Sequence, residues 1–96
     1  MIVHIVMFEF KEENKAANIA KAKNMLEALV DKIDPLINME VGIDFSRSDR
    51  AFDLSLYSTF ATKEDLATYA THPAHLEVVA FIKEVTTLSR VVDYEK

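Results

Sequence analysis

The fold class this sequence predicts is α+β: a ferredoxin-like protomer, β-α-β-β-α-α-β, with one antiparallel sheet. Three observations lead there. The apolar period changes from two to three-and-four and back along the chain. The helix-breaking pairs Asp34-Pro35 and His72-Pro73 fall between these patterns. The 96 residues suffice for one domain, read here as residues 1–96.

The first strand runs from Ile2 to Phe10. It is apolar on both alternating faces, with Ile2, Val6, Phe8 and Phe10 on one and Val3, Ile5 and Met7 on the other. His4 shares the first face. From Lys11 to Ile33, Ile19, Ala22, Leu26, Leu29 and Ile33 recur at helical spacing in a stretch rich in Ala, Lys and Glu, which predicts a long amphipathic helix ended by Pro35. Met39, Val41, Ile43 and Phe45 then alternate with polar residues. After the polar segment Ser46–Arg50, Phe52, Leu54, Leu56 and Phe60 do the same, so a hairpin is expected, with Asp53 and Tyr57 on its polar side, facing solvent or a second copy. Thr62 followed by Asp65 resembles a capping box that opens a short helix through Leu66 and Tyr69. Pro73 suits the first turn of the next helix, whose inner face is read as Val78, Phe81, Ile82, Val85 and Leu88. Ser89 to Glu95 closes the chain as a strand around Val91 and Val92.

Composition removes several function classes. A single glycine, Gly42, leaves no glycine-rich phosphate loop or dinucleotide fingerprint, and the absence of cysteine leaves no disulfide, thiolate zinc site or cysteine nucleophile. The net charge of −5, from 16 acidic and 11 basic residues, argues against nucleic acid as a partner. No uncharged stretch approaches a membrane span, and no basic leader follows Met1; the expectation is a soluble, unprocessed, cytoplasmic protein with no membrane partner. Helices on one face of a four-stranded sheet would leave Val3, Ile5 and Met7 uncovered. Burying such a side chain is worth ~1.5–3 kcal/mol, so a second copy on that face, giving a homodimer, is the simplest remedy.

The chemistry-bearing residues are few. His4 on the first strand and His75 at the start of the last helix, with Tyr69 before it, are the candidate catalytic group: a base, an acid and a phenolic donor in an apolar cavity. The ligand pocket expected between sheet and helices is lined by His4, Val6, Leu54, Tyr69, His72, His75, Val79 and Ile82, and would suit a small apolar ligand. The bland alternative makes His72 a cap, His4 a hydrogen-bonded core residue and His75 a solvated helix-start residue. Spacing leaves both open. A metal held by His4, His72 and His75 is disfavoured because a capping His72 points away, so no metal ligand is assigned.

Several segments together resemble a known family. His4-Ile5-Val6-Met7-Phe8-Glu9-Phe10, Glu40 to Ser46, Arg50 to Leu54, Leu66 to His75 with its Tyr-x-x-His-Pro-x-His pattern, and Val92-Asp93-Tyr94 look like the stress-responsive dimeric α/β-barrel domain, often called Dabb. The resemblance covers essentially the whole chain. It implies a dimeric α/β barrel closed by two sheets, in a family most of whose members have no assigned activity. A plant branch contains polyketide cyclases. By motif, that resemblance puts their histidine roles on His4 and His75 with Tyr69 nearby, in a reaction of cyclase or lyase type that needs no cofactor. Related monooxygenase barrels fit poorly, because this chain has no Trp and no matching first-strand asparagine. The resemblance also implies, in some members, magnesium at backbone carbonyls after the first helix, here around Ile33 to Asn38.

Overall fold

The computed structural model describes residues 1–96. Strand β1 (Ile2–Phe10) leads into helix α1 (Lys15–Glu27) and a 3-10 turn (Ala28–Asp31). Strands β2 (Asn38–Ile43) and β3 (Leu54–Phe60), helices α2 (Lys63–Thr71) and α3 (Pro73–Val85) and strand β4 (Thr86–Glu95) follow. The sheet is antiparallel in the order β2-β3-β1-β4, which is the ferredoxin-like arrangement.

The long helix read from Lys11 to Ile33 is shorter in the structure. Residues 11–14 turn instead, with Asn14 in the left-handed region at φ 53°, a conformation asparagine tolerates. Beyond Glu27 the winding tightens to 3-10. Leu29 and Ile33 are nonetheless buried, so the apolar spacing marked a packed face and not the length of the α-helix.

Register decides which side chains meet. His4 lies opposite Ser58 on β3 and opposite Asp93 on β4. The helix-side face of β1 contributes Ile2, Phe8 and Phe10 to a core completed by Leu26, Leu56, Phe60, Tyr69, Val78 and Ile82.

Four expectations need correction. Val3, expected on an uncovered face, is 0 % exposed within the protomer, because it sits on a central strand between Thr59 and Tyr94, close enough across strands to shield it. The open face consists instead of half-buried Ile5 and Tyr57 with exposed Met7, Val92 and Tyr94. Leu88 belongs to β4 and not to the last helix, since α3 ends at Val85, where Thr86 turns to extended backbone. Phe45 is not on a strand: β2 ends at Ile43, and Phe45 is 95 % exposed.

Asp53 is the fourth. It precedes β3 and is only 2 % exposed, not on a solvated strand face. Its carboxylate accepts the Phe10 N–H at 2.7 Å and an Arg47 guanidinium N–H at 2.6 Å, with the Lys15 ammonium 3.5 Å away. Arg47, at φ 51°, is also gripped by Asp44. Burial pushes the Asp53 carboxyl up, but the Phe10 amide and Arg47 outweigh it and hold it below the ordinary carboxylate value. This knot pins the whole β2–β3 connection to the end of β1.

Candidate functional site

The site is assembled at one junction. Thr62 opens α2 as read, its hydroxyl accepting the Asp65 N–H at 3.1 Å. The helix stops at His72, which at once ends α2 and caps α3. Its N–H donates to the Tyr69 carbonyl at 3.1 Å, and its Nδ1 accepts the Ala74 N–H at 3.0 Å. Pro73, with no N–H to satisfy, then starts α3.

This one-residue joint brings Tyr69, in the last turn of α2, against His75, in the first turn of α3, with ring centroids 4.2 Å apart and planes inclined at 40°. Phe60 backs Tyr69 from the sheet at 5.1 Å. His4 approaches Tyr69 edge-on, 6.2 Å between centroids and 65° between planes. The sequence-predicted group His4, Tyr69 and His75 is therefore one cluster on the helix side of the sheet.

Its protonation follows from its neighbours. His75 Nδ1 donates to the Ala70 carbonyl at 3.0 Å, and since a carbonyl only accepts, Nε2 of the neutral ring keeps its lone pair. Burial lowers the His75 pKa; the Ala70 carbonyl opposes this, while His4 and His72 add to the lowering. Burial also pushes the Tyr69 hydroxyl far above the usual phenol value. At neutral pH the pair is thus a neutral imidazole beside a protonated phenol.

His4 has an orienting carboxylate that the sequence reading missed: its Nδ1 hydrogen-bonds Asp93 on β4. The signal was arithmetic. Pairing Ile2 with Glu95 in an antiparallel ladder puts position 4 opposite position 93. Asp93 thereby fixes which His4 nitrogen carries hydrogen and leaves Nε2 free.

The rings close one end of a cavity of about 160 Å³ between β1, β4 and α3. Of the expected lining, His4, Val6, Tyr69, His75, Val79 and Ile82 are present. Two are not. Leu54 is a core residue, 1 % exposed, at the far end of β3 opposite Phe8, and His72 is committed to its cap. The reading missed Phe8, Leu26, Leu56 and Val78, which complete the apolar wall, and Lys83 and Ser89, which form its second polar end. The Tyr69 hydroxyl has no partner within the chain, yet no buried polar side-chain atom is left unpaired, so it opens onto this space. A wider cleft of about 460 Å³ beside Gly42 and Phe45 contains no histidine or tyrosine.

No group of three or more His, Asp or Glu side chains is placed to hold a metal ion. After α1, the Ile33 carbonyl already accepts the Leu36 N–H at 3.1 Å, so it is engaged within the turn. No helix is long and apolar enough to cross a membrane.

The class defined by this geometry is a ferredoxin-like α+β domain with a histidine–tyrosine pocket between its sheet and its last helix. The chain belongs to the Stress responsive A/B Barrel Domain (Dabb) family, whose model matches residues 2–96. It is 36 % identical over 80 residues to a stress-response A/B barrel domain-containing protein of Arabidopsis thaliana, covering 82 % of this chain but only 30 % of that protein. A solved structure from Bacteroides fragilis, described as a dimeric protein of unknown function with a ferredoxin-like fold, is 31 % identical and superposes at a TM-score of 0.90 over 99 % of this chain and 95 % of its own. The fold is shared with a hydroxynitrile lyase from Passiflora edulis, at 22 % identity and a TM-score of 0.86, covering 97 % of this chain and 90 % of the other.

Proposed function

We propose that the chain works as a homodimer in which each protomer binds a small, largely apolar ligand through a carbonyl oxygen, in the cavity between β1 and α3. The observation that carries this is the Tyr69 hydroxyl, a protonated donor without an intramolecular partner at one end of a cavity whose middle wall is apolar. A buried donor of this kind gains from a ligand oxygen what it forgoes by leaving water. Dimerisation is supported by Met7, Val92 and Tyr94, all exposed on the sheet face that no helix covers, and by the dimeric Bacteroides fragilis relative.

The test is an amide NMR titration with 2-heptanone, an apolar ketone, on the parent protein and on Tyr69→Phe. Shifts confined to residues around Val6, Tyr69, His75 and Val79, and weakened in the variant, are expected. Shifts scattered over the open sheet face, or none, would refute the reading.

A second reading, catalysis, is favoured by one further observation: neutral His75 keeps a free Nε2, and its ring lies 4.2 Å, centroid to centroid, from the ring of Tyr69. His75 would remove a proton from the carbon next to the bound carbonyl through its free Nε2, and Tyr69 would hold the developing oxyanion. The imidazolium so formed on His75 would return a proton from the same Nε2 after exchange with water, with His4 held alongside by Asp93. This is acid–base chemistry of lyase or cyclase type, and it requires no cofactor. Exchange of the α-hydrogens of 2-heptanone in deuterated water should be faster with the parent protein than with His75→Ala, and insensitive to EDTA. Equal rates would leave binding alone.

A further inference from the structure

The cavity has two polar ends, and only one is used by the reading above. His75, Val78, Val79, Ile82 and Lys83 form one stripe of α3. Eight residues separate His75 from Lys83, which at 1.5 Å per residue is ~12 Å of helix. The sheet below runs the same way. His4 lies opposite Asp93 at the histidine end, and Phe8 lies opposite Ser89 at the lysine end. The intervening wall is apolar.

Lys83 forms no ion pair within the chain, whereas Lys15 and Lys23 both do. No Asp or Glu lines the cavity, although the chain carries 16 acidic residues against 11 basic ones. The ordinary role of a lysine in a last helical turn is to complement the exposed carbonyls. Here the Thr86 hydroxyl and the Thr86 N–H both already bond the Ile82 carbonyl, so part of that need is met. A flexible stem then lets the ammonium reach over the cavity mouth while staying hydrated.

We propose that this groove selects small amphiphilic carboxylates, with the anionic head held by Lys83 beside Ser89 and the apolar body running along the wall toward Tyr69 and His75, where a ligand that also carries a ketone presents its oxygen to the Tyr69 hydroxyl. The inference rests on the same pocket as the proposed function and specifies the charge and polarity of what enters it. A volume of about 160 Å³ is that of a cavity accepting a benzene-sized body, so a six- to eight-carbon chain with its head at the mouth is the matching size.

Three probes of one length decide it: octanoate, 1-octanol and octylamine, titrated below their micelle-forming concentrations against the parent protein, Lys83→Gln and Lys83→Glu. Lys83 is exposed, so both variants should keep the parent melting temperature. Octanoate is expected to bind the parent roughly threefold to tenfold more tightly than octanol, the range of a partly solvated charge pair, and octylamine more weakly than either. The octanoate advantage should vanish in Lys83→Gln, and the order of octanoate and octylamine should reverse in Lys83→Glu. The terminal methyl of bound octanoate should shift upfield under the Tyr69 and His75 rings. If octanol binds as well as octanoate and neither variant alters the ranking, charge selection is overturned while the pocket reading stands. If no probe binds and 2-heptanone also fails, both fall together.

Discussion

Removing the Asp53 carboxylate should destabilise the protein far more than an ordinary loop substitution. In Asp53→Ala the buried Phe10 amide loses its acceptor, which costs ~1–3 kcal/mol. The Arg47 guanidinium also loses its closest partner, but that side chain is 53 % exposed and water takes it over, so this contributes at most about 1 kcal/mol. The sum is about 1–4 kcal/mol, which for a domain of this length is a fall in melting temperature of roughly 4–30 °C. Asp53→Asn keeps an oxygen for the Phe10 amide and loses only the charge, so it should cost about 1 kcal/mol. The pH dependence has a definite sign. The folded carboxyl titrates below its ordinary value of 3.8, so its contribution is complete above that value and is lost as pH falls through the lowered folded value. Thermal melts followed by circular dichroism, for the three proteins at one fixed concentration from pH 7 down to pH 2.5, would measure this. An Asp53→Ala variant within about 0.5 kcal/mol of the parent at pH 7 would refute the argument, as would a parent advantage over Asp53→Asn that survived undiminished at the lowest pH.

Sedimentation of the parent at micromolar concentration should give a dimer, and Ile5→Asp should split it; a stable parent monomer would end the two-sheet barrel. The His75 imidazole, followed by NMR, should titrate below the ordinary value of 6.5, so its contribution to stability is complete above pH 6.5 and is lost as pH falls through the folded value. A titration at or above 6.5 would count against a buried base. His72→Ala should lower stability by ~1 kcal/mol through the lost cap but leave 2-heptanone binding unchanged, whereas a large loss of binding would return His72 to the pocket.

Periodicity and turn chemistry made the element order legible: β1, the Thr62 cap and the Pro73 start all lie where the residues put them. They also placed His4, Tyr69 and His75 on one side of the sheet, because strand alternation and a proline-started helix are local properties. What stayed hidden depended on partners distant in sequence. Asp93 becomes an orienting group only through the β1–β4 register, and Asp53 looks like a surface residue until Arg47 turns back on it. Leu54 has the right face for the pocket but the wrong position along the strand, which alternation cannot report. Lys83 was invisible for the opposite reason: its place in a last helical turn already accounts for it.

The joint at His72 sets how this site can change over generations. Most connections absorb an added or deleted residue at little cost. Between Tyr69 and His75 there is no such slack, because one residue terminates one helix and caps the next. An extra residue inserted after Pro73 would swing His75 by about 100° around the helix axis and off the tyrosine ring. The Tyr69–His75 spacing therefore acts as a caliper. Side chains lining the cavity can be exchanged one at a time to fit new occupants, but the short interval that sets the jaw cannot lengthen or shorten without disassembling it.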